Sequence, residues 1–154
     1  MNKKSHIKVL FCLKTKLSYG ISYGLSNSCR FISDFLNRSG IEAKIVNVID
    51  NNCIDREVTK FKPTHVIIEA LWVVPEKFPI LIKLHPKVKW YVRIHSQAPF
   101  LGHESSAFGW LRKYDRFRHH KKGPAIMANN KKLCYALEKA LHIDTVYAPN
   151  IYEF

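Results

Sequence analysis

The chain alternates between short apolar runs and amphipathic runs along its whole length. Six runs read as strands with few charged residues, over residues 7–13, 41–49, 64–71, 88–95, 124–128 and 146–148. Helix-like runs with apolar residues at i, i+3 and i+4 separate several of them. Strands that are apolar on both faces belong to sheets covered on both faces. The order therefore predicts an α/β fold: one Rossmann-like, mostly parallel six-stranded sheet with helices on both faces.

The connecting runs predict where the helices lie. Helices are expected over residues 25–37, 55–61 and 105–117, another after Pro75, and a last one up to residue 141. Gly40 is well placed to end the first helix, and Asn129 or Asn130 to cap the last. Residues 98–102 are predicted to form a loop. Ligands of such sheets bind beyond the carboxyl ends of the strands, so the segments after strands one, three, four and five are the candidate sites.

Size and composition indicate one folded domain over residues 1–154. Hydrophobic residues make up 47% of the chain, which argues against disorder. The first apolar run is too short for a signal peptide or a membrane span, so a cytoplasmic protein is expected. The four cysteines form no Cys-x-x-Cys pair and have no His-rich neighbours. They predict free thiols and no metal site.

The charge is strongly positive. Lys and Arg number 25 and Asp and Glu 12, which gives +13. This excess predicts attraction to nucleic acid, nucleotide phosphates or an anionic membrane surface. Part of it lies in a basic run over residues 112–122, with Tyr114 and Phe117 between the cations Arg112, Lys113, Arg116, Arg118, Lys121 and Lys122. Such a run suits phosphate contacts with base stacking, and the alternative is a solvated helix face with its aromatic residues in the core.

The segment after strand one is the first candidate site. Its hydroxyl groups and glycines suit phosphate or sugar oxygens, at Ser18, Tyr19, Gly20, Ser22, Tyr23 and Gly24. The segment is neither Gly-x-Gly-x-x-Gly nor a P-loop, so it is not a standard dinucleotide or triphosphate cradle. A plain strand–helix connection explains it equally well.

The end of strand four is the second candidate site. Strand alternation places Arg93 and His95 on one face, with Ser96 and Gln97 at the exit. Such a group suits an oxyanion, a phosphate or a proton transfer. The alternative is a histidine bonded to a carbonyl and an arginine in a buried ion pair.

Few acidic residues are placed to act as a general base. Glu69 lies inside the apolar third strand, where it must pair with a cation, face a cleft or take up a proton. Glu104 follows strand four, where it either serves a ligand or caps the next helix.

The order of these elements resembles the N-terminal domain of GT-B-type glycosyltransferases. The phrases that carry the resemblance are Tyr91-Val-Arg-Ile-His-Ser96, a fifth strand leading to Asn129, and Val146-Tyr-Ala-Pro-Asn150. In that family the N-terminal half binds the acceptor and the C-terminal half holds the nucleotide sugar. The resemblance implies that Gly20 and Gly24 face the acceptor or donor phosphates.

The same resemblance implies that Arg93, His95 and Ser96 face the cleft. An inverting member needs a base for the acceptor hydroxyl, and His95, Glu69 and Glu104 are the options. A retaining member needs no such base.

The resemblance covers one half of such an enzyme. We expect the chain alone to be a poor catalyst or none. We also expect no bound cofactor other than a nucleotide sugar as donor substrate, and a donor-binding partner protein or a homo-oligomer. A docking patch is expected around Trp72, Phe100 or Trp110. Some bacteriophage members of the family modify DNA bases, and a basic acceptor half suits DNA. A lipid or polysaccharide acceptor at an anionic membrane fits the same charge.

Two other functions fit the sequence. One is a non-catalytic nucleic-acid-binding module, which predicts binding that weakens steeply with salt. The other is a small flavodoxin-like domain that binds a phosphorylated ligand at residues 18–24 without a partner.

Overall fold

Six parallel strands form one sheet in the computed structural model, which describes residues 6–15, 23–103 and 106–152. The strands are β1 (Lys8–Lys14), β2 (Glu42–Val48), β3 (His65–Glu69), β4 (Lys89–Ile94), β5 (Ala125–Ala128) and β6 (Thr145–Tyr147). The helices are α1 (Tyr23–Arg38), α2 (Ile54–Phe61), α3 (Lys77–Leu84), α4 (Ala98–His103), α5 (Ala107–His119) and α6 (Lys131–Leu141). The strand order is β2-β1-β3-β4-β5-β6. The predicted Rossmann-like α/β fold is confirmed.

The element boundaries follow the sequence closely, and the largest departure is at residues 98–102. The predicted loop over residues 98–102 is instead helix α4. Pro99 lies in the first turn of α4, where its missing N–H group is not needed, and Leu101 is buried. Of the two candidate caps for α6, Asn130 is the one used, because its side-chain oxygen accepts the Leu133 amide at 2.7 Å.

The helices are divided unevenly between the two faces of the sheet. Right-handed crossovers put α1 on one face, where it packs on Val9, Phe11 and Leu13. The core on the opposite face includes buried residues from α2, α3, α4, α5 and α6. Among the described residues, α1 is therefore the one helix on its face.

The α1 face is thinly covered over strands β3 to β6. His65, Tyr91 and Met127 point to it and are only half-buried, and Val146 is 47% exposed. The rings of His65 and Tyr91 stack there with their centroids 6.1 Å apart. Parallel sheets are normally covered on both faces, so this part of the sheet is suited to packing against another protein or domain.

The parallel topology defines two edges of the sheet. We call the edge at which the strands end the carboxyl edge, and the edge at which they begin the amino edge. Each helix that connects two strands leaves the carboxyl edge and ends near the amino edge. The last turn of α5, with Arg116 and Arg118, therefore lies toward the amino edge. Within the described ranges, none of the helices has the length and apolar composition of a membrane span.

The turn after α5 requires a glycine. A Cβ atom at Gly123 would lie 2.6 Å from both the Arg118 amide nitrogen and the Tyr114 carbonyl oxygen. We expect Gly123→Ala to lower the free energy of unfolding by about 1–3 kcal/mol, because backbone atoms must shift to admit the methyl group. Urea denaturation of the purified variant measures this loss.

Gly109 provides the matched control for Gly123. It lies inside α5, and a Cβ built on it meets no described heavy atom within 4 Å apart from its neighbours and the helix's own backbone. Gly109→Ala is expected to raise the free energy of unfolding by about 0.5–1 kcal/mol, because alanine favours the helix. Equal changes in the two variants would contradict the close packing at Gly123.

Candidate functional site

A buried ion pair lies at the carboxyl edge of the sheet. Glu69 ends β3 and is aligned in register with Arg93 of β4, so both side chains lie on the α1 face. The Arg93 Nη1 atom lies 3.3 Å from Glu69 Oε1, and both residues are almost completely buried. Arg93 is thus a cation partner of the kind that the buried carboxylate of Glu69 required.

His95 shares the same carboxylate. Its Nε2 atom lies 2.5 Å from Glu69 Oε2, and its side chain is 17% exposed. With Nε2–H donating to Glu69, the Nδ1 atom is left as a proton acceptor. A carboxylate that orients an imidazole and leaves its second nitrogen free is an arrangement suited to general base chemistry.

A cavity of about 680 Å³ lies beside His95. It is formed by the segment after β4 and by the first turns of α6, with Gln97, Ala98, Pro99, Asn129, Asn130, Lys131, Lys132, Leu133 and Ala136 as its other lining residues. Both lysines are exposed, and the Lys131 ammonium lies 5.5 Å from the centre of the Tyr147 ring. The cavity therefore combines a candidate base with cationic groups, which suits an anionic or phosphorylated ligand.

A second cavity of about 540 Å³ continues this region. It is lined by Ser96, Gln97, Pro99, Phe100 and His103. Gln97 and Pro99 line both cavities. The predicted site residues His95, Ser96, Gln97 and Asn129 are thus brought together at the carboxyl edge.

Arg93 also holds the segment that follows β6. Its guanidinium donates to Asn150 Oδ1 at 2.6 Å, to the Ala148 carbonyl at 3.3 Å and to the Pro149 carbonyl at 3.4 Å. Ser28 of α1 completes the group, since its hydroxyl donates to Asn150 Oδ1 at 2.8 Å. The predicted ligand contact Arg93 is therefore enclosed by protein atoms, and it orders Glu69 rather than lining either cavity.

The backbone beside Glu69 is strained. Ala70 has φ of 73°, a left-handed conformation that an alanine rarely adopts. Its amide donates to the Arg93 carbonyl at 2.9 Å, and the Trp72 indole donates to the Glu69 carbonyl at 2.8 Å. These bonds hold the end of β3, and such strain is typical of functional sites.

Two of the four thiols are buried in an environment that lowers their reactivity. All four cysteines are free, and Cys12 and Cys29 are fully buried. Burial, aided by nearby carboxylates, raises the pKa of Cys12 to about 12, and burial also raises the pKa of Cys29. Both stay protonated at neutral pH and are poor nucleophiles.

The segment after β1 is described only in part. Ser18, Tyr19, Gly20 and Ser22 lie outside the described residues, as does Glu104. Tyr23 and Gly24, predicted to belong to a loop, form the first turn of α1 instead. Tyr23 is 76% exposed there.

The predicted basic run is divided between paired and unpaired cations. Lys113 binds Glu76 at 2.7 Å, and Arg118 binds Asp115 at 2.9 Å. Tyr114 is buried and donates its hydroxyl to the Val73 carbonyl, so it is unavailable for base stacking. The other four cations are exposed and form no ion pair within the described part of the chain, at Arg112, Arg116, Lys121 and Lys122.

Sequence reasoning missed several residues of the site. Lys131 and Lys132 follow the helix cap directly after β5, a position at the carboxyl edge that the strand order makes recognisable. Ser28 interrupts the apolar face of α1, and Asn150 ends a phrase that carries the resemblance, where no contact is predicted for it. Their contact with Arg93 joins positions 65 and 57 residues apart along the chain.

Comparisons with known proteins leave the family open. No family model matches the chain, and no curated protein matches it. One solved structure that it resembles is described as "putative lipoprotein from Peptoclostridium difficile 630 (fragment)". The identity is 10%, the likeness covers 59% of this chain and 76% of that chain, and the TM-score is 0.42. A likeness of this size supports no conclusion about function.

Proposed function

We propose that this chain is the acceptor-binding half of a glycosyltransferase and that His95 removes the proton from the acceptor hydroxyl. The observation that carries the proposal is the 2.5 Å contact between His95 and Glu69 beside the 680 Å³ cavity. This cavity lies beyond the carboxyl ends of parallel strands, where sheets of this type bind their ligands. The sequence resemblance to GT-B enzymes supplies the reaction class.

The proposed step transfers one sugar and moves one proton. The acceptor oxygen bonds to the anomeric carbon of the nucleotide sugar, and the bond from that carbon to the nucleoside diphosphate breaks. His95 takes the hydroxyl proton, and the Glu69 carboxylate stabilises the imidazolium that forms. Lys131 and Lys132 line the same cavity and favour negative charge there.

The second half of the enzyme has a place to dock. Phe100 is 58% exposed beside the smaller cavity, while Trp72 and Trp110 are half-buried and pack against the core. The thinly covered α1 face adds His65, Tyr91 and Val146. These surfaces support a donor-binding partner protein or a second copy of the chain as the missing half.

The proposed acceptor is described by its chemistry. The cavity favours a hydroxyl group on an anionic molecule, and DNA with modified bases is one such acceptor. The exposed cations at the end of α5 lie toward the opposite edge of the sheet, about 20 Å away for a strand of six residues. A DNA acceptor would therefore have to extend from the carboxyl edge to the amino edge to contact both the cavity beside His95 and the cations at the end of α5.

The test combines the chain with radiolabelled nucleotide sugars and hydroxyl-bearing acceptors, with and without the product of the neighbouring gene. We expect transfer only when both proteins are present, since the proposal gives this chain the base and the acceptor cavity and gives the donor-binding unit to the partner. Duplex DNA and soluble glycan acceptors are tested in parallel. The absence of transfer in every mixture, together with no acceptor-induced shift in the His95 ring signals by NMR, would contradict the proposal.

A further inference from the structure

A separate cavity of about 410 Å³ opens at the amino edge of the sheet. It lies between the end of α2 and the connection from α3 to β4, and its lining residues are Val58, Thr59, Lys62, Pro63, His85, Pro86, Lys87 and Val88. Because β3 and β4 begin here and end at Glu69 and Ile94, this cavity is at the edge opposite His95. The proposed transfer reaction does not use it.

The walls of this amino-edge cavity suit a flat ring with an attached anion. Val58, Pro63, Pro86 and Val88 supply apolar surface, and the His85 ring is fixed by Asp55 with 2.6 Å between Nε2 and Oδ1. Lys62 and Lys87 are both exposed and add two ammonium groups. An apolar, partly aromatic recess with cations at its rim matches the two parts of a nucleotide, the base and the phosphate.

Positive charge extends along the amino edge beyond the cavity. The last turns of α2, α3, α5 and α6 all carry basic residues, which the helix dipole by itself favours. Lys62, Lys87, Lys121 and Lys122 follow the ends of α2, α3 and α5 and extend this positive charge past the helices. A single nucleotide contacts few cations. Basic residues spread along the whole amino edge instead fit a chain of phosphates.

Two of these lysines occupy strained backbone positions. Lys62 has φ of 53° and Lys121 has φ of 56°, in the left-handed region. Both follow the end of a helix, where glycine is the usual residue because it has no Cβ atom. A lysine in the place of a glycine retains strain and adds a cationic side chain, a combination that points to a role for the charge.

We propose that the amino-edge cavity holds one nucleotide of a single-stranded nucleic acid. Lys62 and Lys87 contact the phosphates on either side of the bound base, and Lys121 and Lys122 contact the strand farther along. This binding needs neither His95 nor a sugar donor, so nucleic-acid binding can be found even when the proposed transfer is not. Sugar transfer can likewise be found without nucleic-acid binding at the amino edge.

The test measures binding of a fluorescent oligonucleotide of about 12 residues by anisotropy over a salt series. The double variant Lys62→Gly/Lys87→Ala should bind more weakly, and its slope of log affinity against log salt should fall by roughly 1.4, or 0.7 for each lost phosphate contact. Thermal melting should show an unchanged or higher midpoint for Lys62→Gly alone, since glycine fits the left-handed position. Weaker binding is then not a result of unfolding.

The control removes two lysines from the carboxyl edge, in Lys14→Ala/Lys77→Ala. We expect this variant to keep the full salt slope. Equal losses in both double variants would overturn the proposal, because diffuse charge would then explain the binding. A mononucleotide that binds as tightly as the oligonucleotide, or duplex that binds more tightly than the single strand, would overturn it as well.

Discussion

Replacing Arg93 with methionine is expected to lower the free energy of unfolding by about 3–5 kcal/mol. Methionine approximates the length of the side chain but leaves the buried carboxylate of Glu69 with His95 as its one remaining side-chain partner among the described residues. It also removes the guanidinium bonds to Asn150 and to the carbonyl groups of Ala148 and Pro149. Denaturation with guanidinium chloride at neutral pH measures the loss.

Two further variants test whether burial of the ion pair causes this loss of stability. Arg116 is exposed and forms no ion pair in the part of the chain described, so Arg116→Met should change the free energy of unfolding by no more than about 0.5 kcal/mol. The double variant Arg93→Met/Glu69→Leu should recover part of the loss, because it removes the unpaired charge as well. A loss below about 1 kcal/mol for Arg93→Met would show that the pair is not the buried contact described.

For the proposed transfer reaction, His95→Gln is expected to lower the turnover rate by roughly 10²–10⁴-fold. Glutamine can still bond to Glu69, but it accepts no proton at neutral pH. Glu69 keeps its bond to Arg93, so the fold should survive the substitution. Initial rates of radiolabelled sugar transfer at saturating acceptor measure the effect.

His119→Gln serves as the matched control for His95→Gln. His119 is exposed at the end of α5, toward the opposite edge of the sheet, and should leave the transfer rate unchanged. A His95→Gln enzyme with the wild-type rate would remove His95 from the mechanism and leave a retaining reaction, which needs no such base, as the remaining form of the proposal.

Much of the fold follows from local patterns. Each apolar run became a strand because its composition requires cover on both faces, as for Val66 and Ile68. The two-residue period of a strand also placed Arg93 and His95 on one face. The register of β3 against β4 was not predictable, because helix packing between the strands decides it, and that register is what aligns Glu69 with Arg93.

Other features needed the three-dimensional structure for different reasons. Helix α4 was missed because Pro99 and Gly102 are local signals for a loop, while burial of Leu101 favours the helix. The position of the basic run followed from topology, since the helix after β4 returns toward the start of β5. The links from Arg93 to Ser28 and Asn150 join distant segments, which no local pattern reports.

The bonds that Arg93 makes on both sides have a consequence for how the protein responds to force. One side of the guanidinium holds Glu69, and the other holds residues 148–150. Pulling on that last stretch would therefore loosen the carboxylate that steadies His95. A binding partner that pulls on the chain after β6 would therefore change the position of the His95 imidazole without contacting it.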